Sequence, residues 1–150
     1  MKKVFVAAVF LLLIFGLGFL FTRFFGPKSI HKVIVGNSSV VVETADTPEK
    51  TQQGLSDREK LCSDCGMLFI FDQPGIYPFW MRKMRFDIDI IWIAGDRVVD
   101  ITYSAKVPPT EELEAPRTFY QSKELVNKVL EVNVGWAKKN NVVIGDLVKF

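Results

Sequence analysis

The stretch from Val4 to Thr22 constrains this chain most, because nineteen consecutive residues there carry no charge. At about 1.5 Å of rise per residue, that run makes a helix of roughly 28 Å, close to the ~30 Å of bilayer hydrocarbon. Phe5, Phe10, Phe15, Phe19 and Phe21 fall on all sides of such a helix. The helix of a soluble domain keeps a polar stripe, and this one has none. Residues 1–23 are therefore expected to form a single transmembrane helix, with a linker over residues 24–32 and a domain over residues 33–150.

The same segment skews the composition. The chain holds 19 basic and 17 acidic residues, a net charge of +2. Lys2, Lys3 and Arg23 belong to the membrane segment and its edge; without them 16 basic residues face 17 acidic ones. The domain is near neutral, and no basic stripe interleaved with aromatics points to nucleic acid.

Lys2 and Lys3 ahead of an apolar run resemble a secretory signal, but the run exceeds the ~7–15 residues usual there. No small-x-small cleavage site follows it, since the next residues are Thr22-Arg23-Phe24-Phe25-Gly26-Pro27. An uncleaved signal-anchor is the expected outcome, contacting the membrane through residues 4–22. Lys2 and Lys3 on one side nearly balance Arg23, Lys28 and Lys32 on the other. The usual signal-anchor arrangement leaves the short N-terminus inside. It gives a single-pass protein of the cell membrane with an extracytoplasmic domain.

Within the domain, strands are expected over Lys32–Val35, Val40–Thr44, Met67–Phe71, Phe86–Ile93, Arg97–Tyr103 and Val126–Val132. Short strands over Val142–Val143 and Leu147–Phe150 would close the chain, and Phe79–Met84 reads as extended. Gly36-Asn37 marks a hairpin turn. Thr47, Pro48 and Glu49 open a short helix that Gly54 ends, and a second short helix follows Asn133. Ser56–Gly66 and Ser104–Ser122 read as long loops. The pattern predicts an α+β, mainly β domain: a compact antiparallel sheet or small barrel with one or two short helices.

Three constellations could carry chemistry. Cys62-Ser63-Asp64-Cys65 is a C-x-x-C pair, open to redox, zinc or disulfide readings. Zinc needs about four ligands, and the chain offers only His31 besides this pair, so no metal site is expected. A redox couple would sit at a helix start, whereas this pair precedes a strand. A structural disulfide or two free thiols remain, and an oxidising compartment favours the disulfide. The second constellation is the cluster Met67, Phe69, Phe71, Phe79, Trp80, Met81, Met84 and Trp92, which serves either as core or as the wall of an apolar pocket. The third is the carboxylates. Asp89 and Glu131 each interrupt an apolar strand, and could form an acid–base pair or act as structural buttresses for loop amides or Arg58 and Arg82. No His serves the domain as a general base, and no glycine loop or nucleophile elbow is present. No cofactor is implied.

Several blocks together resemble a known family. Thr47-Pro48-Glu49, Gly54-Leu55, Gly66-Met67-Leu68-Phe69-Ile70-Phe71, Phe79-Trp80-Met81-Arg82, Asp89-Ile90, Val129 to Gly135 and Gly145-Asp146 are similar, in this order, to the DUF192 family, also called UPF0127. The resemblance runs from about Val33 to Phe150. It implies a compact β-rich α+β fold and brings no established activity. The family commonly continues Phe-Trp-Met with Lys-Asn-Thr; here Arg82, Lys83 and Met84 stand instead, so no role of that Asn carries over to Lys83.

The leading expectation is an anchored extracytoplasmic domain without catalysis. It binds a small molecule or an envelope glycan through Phe79, Trp80, Met81, Arg82 and Asp89. A carboxylate-based hydrolase using Asp89 and Glu131 and an envelope scaffold or assembly partner are the alternatives. External protease on intact cells is expected to digest the domain; full protection would overturn the outside placement.

Overall fold

The computed structural model describes residues 30–150. The expected membrane helix and most of the linker lie outside the described residues. Among those residues, no helix is long and apolar enough to cross a membrane.

The chain begins as a hairpin. β1 (Ile30–Val35) turns at Gly36-Asn37 into β2 (Ser38–Ala45), with Val35 facing Ser38 across a two-residue loop. Gly36 has φ +58, the left-handed conformation that such a tight turn requires. β1 starts two residues earlier than its sequence pattern suggested, inside the stretch expected as linker. α1 (Pro48–Gln53) follows as expected: Thr47 Oγ1 accepts from Lys50 N, Pro48 opens the first turn, and Gly54 N donates to Lys50 O.

α1 and the loop after it carry the chain back to the same end of the sheet, so β3 (Cys65–Gly75) runs parallel to β2. The other pairings of the main sheet are antiparallel, in keeping with the mainly antiparallel sheet expected, and a crossover connection of this length makes β3 the parallel exception. The loop itself is pinned. Cys62 and Cys65 form a disulfide, Val41 N donates to Asp64 O, and Asn133 Nδ2 donates to Cys62 O at 2.7 Å.

The remaining strands are β4 (Phe79–Trp80), β5 (Ile88–Ala94), β6 (Arg97–Ala105), β7 (Phe119–Tyr120), β8 (Val126–Asn133) and β9 (Val148–Lys149). α2 (Trp136–Lys139) packs after β8. The main sheet runs β6-β5-β8-β3-β2-β1-β9, and Leu147 just before β9 bridges to Arg97 at the start of β6. The seven-stranded sheet thus curls until its two edges meet, as a small barrel does, and the exposed edge problem is largely removed. Met81–Met84 forms a turn rather than an extended segment, and Val142–Val143 forms no strand. The loop expected over Ser104–Ser122 contains a 3-10 turn at Thr110–Glu112 and β7, which pairs with β4.

Two cores result, one on each face. Inside the curl, Val33, Val35, Val40, Val42, Leu68, Ile91, Ile93, Leu130 and Val132 meet Trp136. On the outer face, Met67, Phe69, Ile88, Ile90, Trp92 and Val129 are covered by Leu55, Met81 and Met84. β5 contributes to both, and all six residues from Ile88 to Ile93 are buried.

Asp89 is the polar exception inside the curl. Ile88 pairs with Ala105 and Ile90 with Thr102, so Tyr103 and Ser104 together stand opposite Asp89 in a β-bulge. Ser104 has φ +57, and its N–H leaves the ladder to donate to Asp89 Oδ1 at 2.9 Å. Ala137 N, one of the donors that the start of α2 leaves unpaired, donates to Asp89 Oδ2 at 3.1 Å. The carboxylate therefore fastens the bulge to α2. Buried donors stripped of their partner cost about 1–3 kcal/mol each. Asp89→Ala is expected to lower the unfolding free energy by about 3 kcal/mol, measured as a shift in the urea midpoint at unchanged slope.

Candidate functional site

The outer core opens at one end into a pocket of about 160 Å³. Its walls come from three places. α1 and the residues after it give Thr51, Gln52, Gln53 and Ser56; β3 gives Phe69 and Phe71; the segment through β4 gives Tyr77, Phe79 and Trp80. Glu131 of β8 also lines it.

The aromatic wall is held by ring contacts. Phe71 stacks on Tyr77 with centroids 3.7 Å apart, and Phe79 meets Phe69 edge-on at 4.9 Å and Trp92 at 5.5 Å. The Tyr77 hydroxyl donates to the Gln73 carbonyl, which fixes the ring. Trp80 stands at the rim, 45% exposed, with Phe119 of β7 5.8 Å away. The long loop is thus fastened beside the pocket: Lys83 N donates to Leu113 O, Arg82 Nε to Glu114 O, and Val107 N to Asp87 Oδ1. Lys106 Nζ also donates to Asp87 and holds its carboxyl below the usual range.

Glu131 is the unusual group. It is 5% exposed, and its carboxyl has no hydrogen-bond partner among the described residues, only the charge of Arg58 nearby. Burial pushes its carboxyl up to about 8, and the charge of Arg58 offsets only part of that. Arg58 is engaged elsewhere: its Nη1 and Nη2 donate to the two carboxylate oxygens of Glu43, both at 2.7 Å. That bidentate pair holds the Arg58 guanidinium above its ordinary value. Glu43, Met67, Glu131 and Ile90 form one row across β2, β3, β8 and β5, so all point to the outer face. Gly66 keeps β3 close to β8 beside this row, since a Cβ there would lie 2.7 Å from Glu131 O.

The register separates the two carboxylates that the sequence offered as a pair. Asp89 faces Val132 and Glu131 faces Ile90, so they point to opposite sides of the sheet. The acid–base pair expected as one alternative cannot form. Among the expected binding residues, Phe79 and Trp80 line the pocket. Met81 is buried in the outer core, Arg82 reaches Glu114 instead, and Asp89 serves the bulge. Glu43, Gln52, Gln53 and Tyr77 were missed. The amides sit on a six-residue helix with no buried residue, so no periodicity marked them as wall.

These features define a class: a curled β domain with an aromatic pocket lined by one buried acid. The sequence profile of DUF192, described as "Uncharacterized ACR", matches residues 31–150, and the chain belongs to that family. No curated protein is significantly similar to it. Two crystal structures share the fold. One, from Sinorhizobium meliloti 1021, is of a protein proposed to be a transcription regulator; it is 26% identical with a TM-score of 0.73, over 81% of this chain and 94% of that one. The other, from Novosphingobium aromaticivorans DSM 12444, is of a protein of unknown function; it is 29% identical with a TM-score of 0.70, over 81% and 85%. The structure also gives a backbone reason for the Asn common in the family after Phe-Trp-Met-Lys. Lys83 has φ +53, a conformation that Asn tolerates better than other side chains bearing a Cβ.

Because Glu131 titrates near 8 in the folded chain against an ordinary 4.5, the folded state holds a proton that the unfolded state releases. Stability is therefore expected to fall as pH rises from about 4.5 to 8, by about 1.4 kcal/mol per pH unit, and to level off above that. Glu131→Gln is expected to remove this slope and to be more stable than the parent at pH 8, as read from melting temperatures across that window.

Proposed function

We propose that the domain is a binding module for a small ligand, or for the terminal unit of an envelope polymer, and performs no catalysis. One observation carries this reading: Glu131, buried and without a hydrogen-bond partner among the described residues, opens into an aromatic pocket. A buried carboxyl of this kind needs a partner from the pocket side, either water or a ligand. A ligand that supplies a partner for the acid and a flat face for Trp80 and Phe79 would meet that need. Pockets of this kind, mostly apolar with a few placed polar groups, are the usual form of small-molecule sites.

The volume limits what enters. An apolar cavity of about 150 Å³ accepts one benzene, so this pocket takes one ring or a group of similar bulk. Phe119, 5.8 Å from Trp80 at the rim, extends the aromatic surface outward and can stack on a following unit. Hydrolysis by a carboxylate pair lacks support, because glycosidases place two carboxyls on one site and here Glu131 lines the pocket without Asp89. The regulator role proposed for the Sinorhizobium protein gains no support from the near-neutral charge of residues 24–150.

In the same reading, residues 4–22 tether the domain to the cell membrane on its extracytoplasmic side. The Cys62–Cys65 disulfide is consistent with an oxidising compartment. A scaffold role would use the same tether but leaves Glu131 without a purpose.

Thermal-shift screening with mono- and disaccharides, cell-wall fragments and small amines is expected to find a stabilising ligand. That stabilisation should shrink in Trp80→Ala while the ligand-free melting temperature changes little, since Trp80 is half-exposed. A full panel with no stabilisation would sink the binding reading.

A further inference from the structure

The charges around the pocket add up in an informative way. Arg58 uses both terminal guanidinium nitrogens on Glu43, and that pair is neutral by itself. Glu131 lies close enough to feel Arg58 but has no hydrogen bond to it. When Glu131 ionises, the pocket therefore carries one negative charge that the nearby cation does not neutralise. The other groups facing it are uncharged. α1 presents Thr51, Gln52 and Gln53, β3 presents Met67 and Phe69, β5 presents Ile90, and the Tyr77 hydroxyl is held by the Gln73 carbonyl.

The rings of Phe69, Phe71, Tyr77, Phe79 and Trp80 line the same pocket as this carboxyl. The face of each aromatic ring carries negative potential, which attracts cations, and rings grouped about one space form the cages that recognise quaternary ammonium groups. Five aromatic residues and one acid lining a space of about 160 Å³ bring together the components of such a cage and its counter-ion. A neutral ring would use the rings but would leave the carboxylate uncompensated whenever it ionised.

We infer that the group entering this pocket is an organic ammonium, surrounded by the aromatic rings and paired with the Glu131 carboxylate. This rests on the ligand-binding reading above and names the chemical class of its ligand. The ammonium can be a free amine or the headgroup of a lipid; both offer the same chemistry to the pocket. Binding shifts a proton. The empty pocket holds Glu131 as the neutral acid at pH 7, and the cation stabilises the ionised form, so one O–H bond breaks and the proton passes to solvent as the ion pair forms. Affinity accordingly rises with pH until Glu131 is ionised in the empty protein.

The test uses the full chain in maltoside micelles and titration calorimetry with choline, tetramethylammonium and 3,3-dimethylbutanol, the uncharged carbon analogue of choline. Choline and tetramethylammonium are expected to bind and the alcohol to bind far more weakly. About a tenth of the Glu131 carboxyls are ionised one pH unit below a pKa of about 8, so choline affinity should rise about tenfold from pH 7 to pH 9. Repeating the pH 7 titration in buffers of different ionisation enthalpy should show nearly one proton released per choline. Glu131→Gln should lose the pH dependence and at least ten-fold in affinity while melting no lower than the parent. Trp80→Ala, which leaves the acid in place, should weaken binding but keep the pH dependence. Monomeric short-chain phosphatidylcholine is the second arm. Binding there as well as to choline assigns the ammonium to a lipid headgroup, and binding of choline alone assigns it to a free amine. Equal binding of choline and its neutral analogue, or affinity independent of pH, would overturn the cation while leaving ligand binding intact. No binding by any of these probes, with a blank ligand panel, would overturn both.

Discussion

β5 is buried on both sides, and the arrangement of the whole domain follows from that. Its six residues from Ile88 to Ile93 alternate between the interior of the curl and the outer face. A strand in that position has no solvent side, so each residue must satisfy one core or the other. A slip of one residue against β8 would exchange the two sets. The apolar side chains on each face hold the register, and the register in turn decides where every polar group on these strands points.

Two carboxyls show what this does. Asp89 and Glu131 sit one pair apart on neighbouring strands, yet they occupy different environments. Asp89 receives two backbone N–H groups, one from a bulge and one from a helix start, and this is how a buried polar group is normally satisfied. Glu131 receives none among the described residues and is driven toward its neutral form. The difference is one of available donors. Inside the curl, irregular backbone supplies them; on the outer face, regular strands spend theirs on each other. Arg58, the cation near Glu131, is already committed to Glu43 in a bidentate pair, the stronger geometry for a guanidinium.

The loops add a second constraint. Phe79-Trp80 pairs with Phe119-Tyr120 in a separate two-stranded sheet, and this places the long loop after β6 beside the pocket. Asp87, Arg82 and Lys83 fasten it there. The pocket is therefore built from segments distant in sequence, and its shape depends on packing rather than on any one motif.

Much of the framework was legible in the chain alone. Short apolar and β-branched runs bounded by turn residues located the central strands, Gly36-Asn37 marked the hairpin, and Thr47-Pro48 marked the helix start, because these signals are local. The family could be read from the Gly66–Phe71 and Phe79–Arg82 blocks. The aromatic cluster was visible as a cluster, and the structure made it both core and pocket wall, with Trp92 buried and Trp80 exposed. Strand direction and register were not visible. Whether β3 runs parallel to β2 depends on how the chain between them crosses over, and which face Asp89 and Glu131 take relative to each other depends on pairing between strands some forty residues apart. Those are tertiary facts, fixed by burial on two faces at once. They turned two similar-looking acids into a structural clamp and a lone acid in an aromatic pocket.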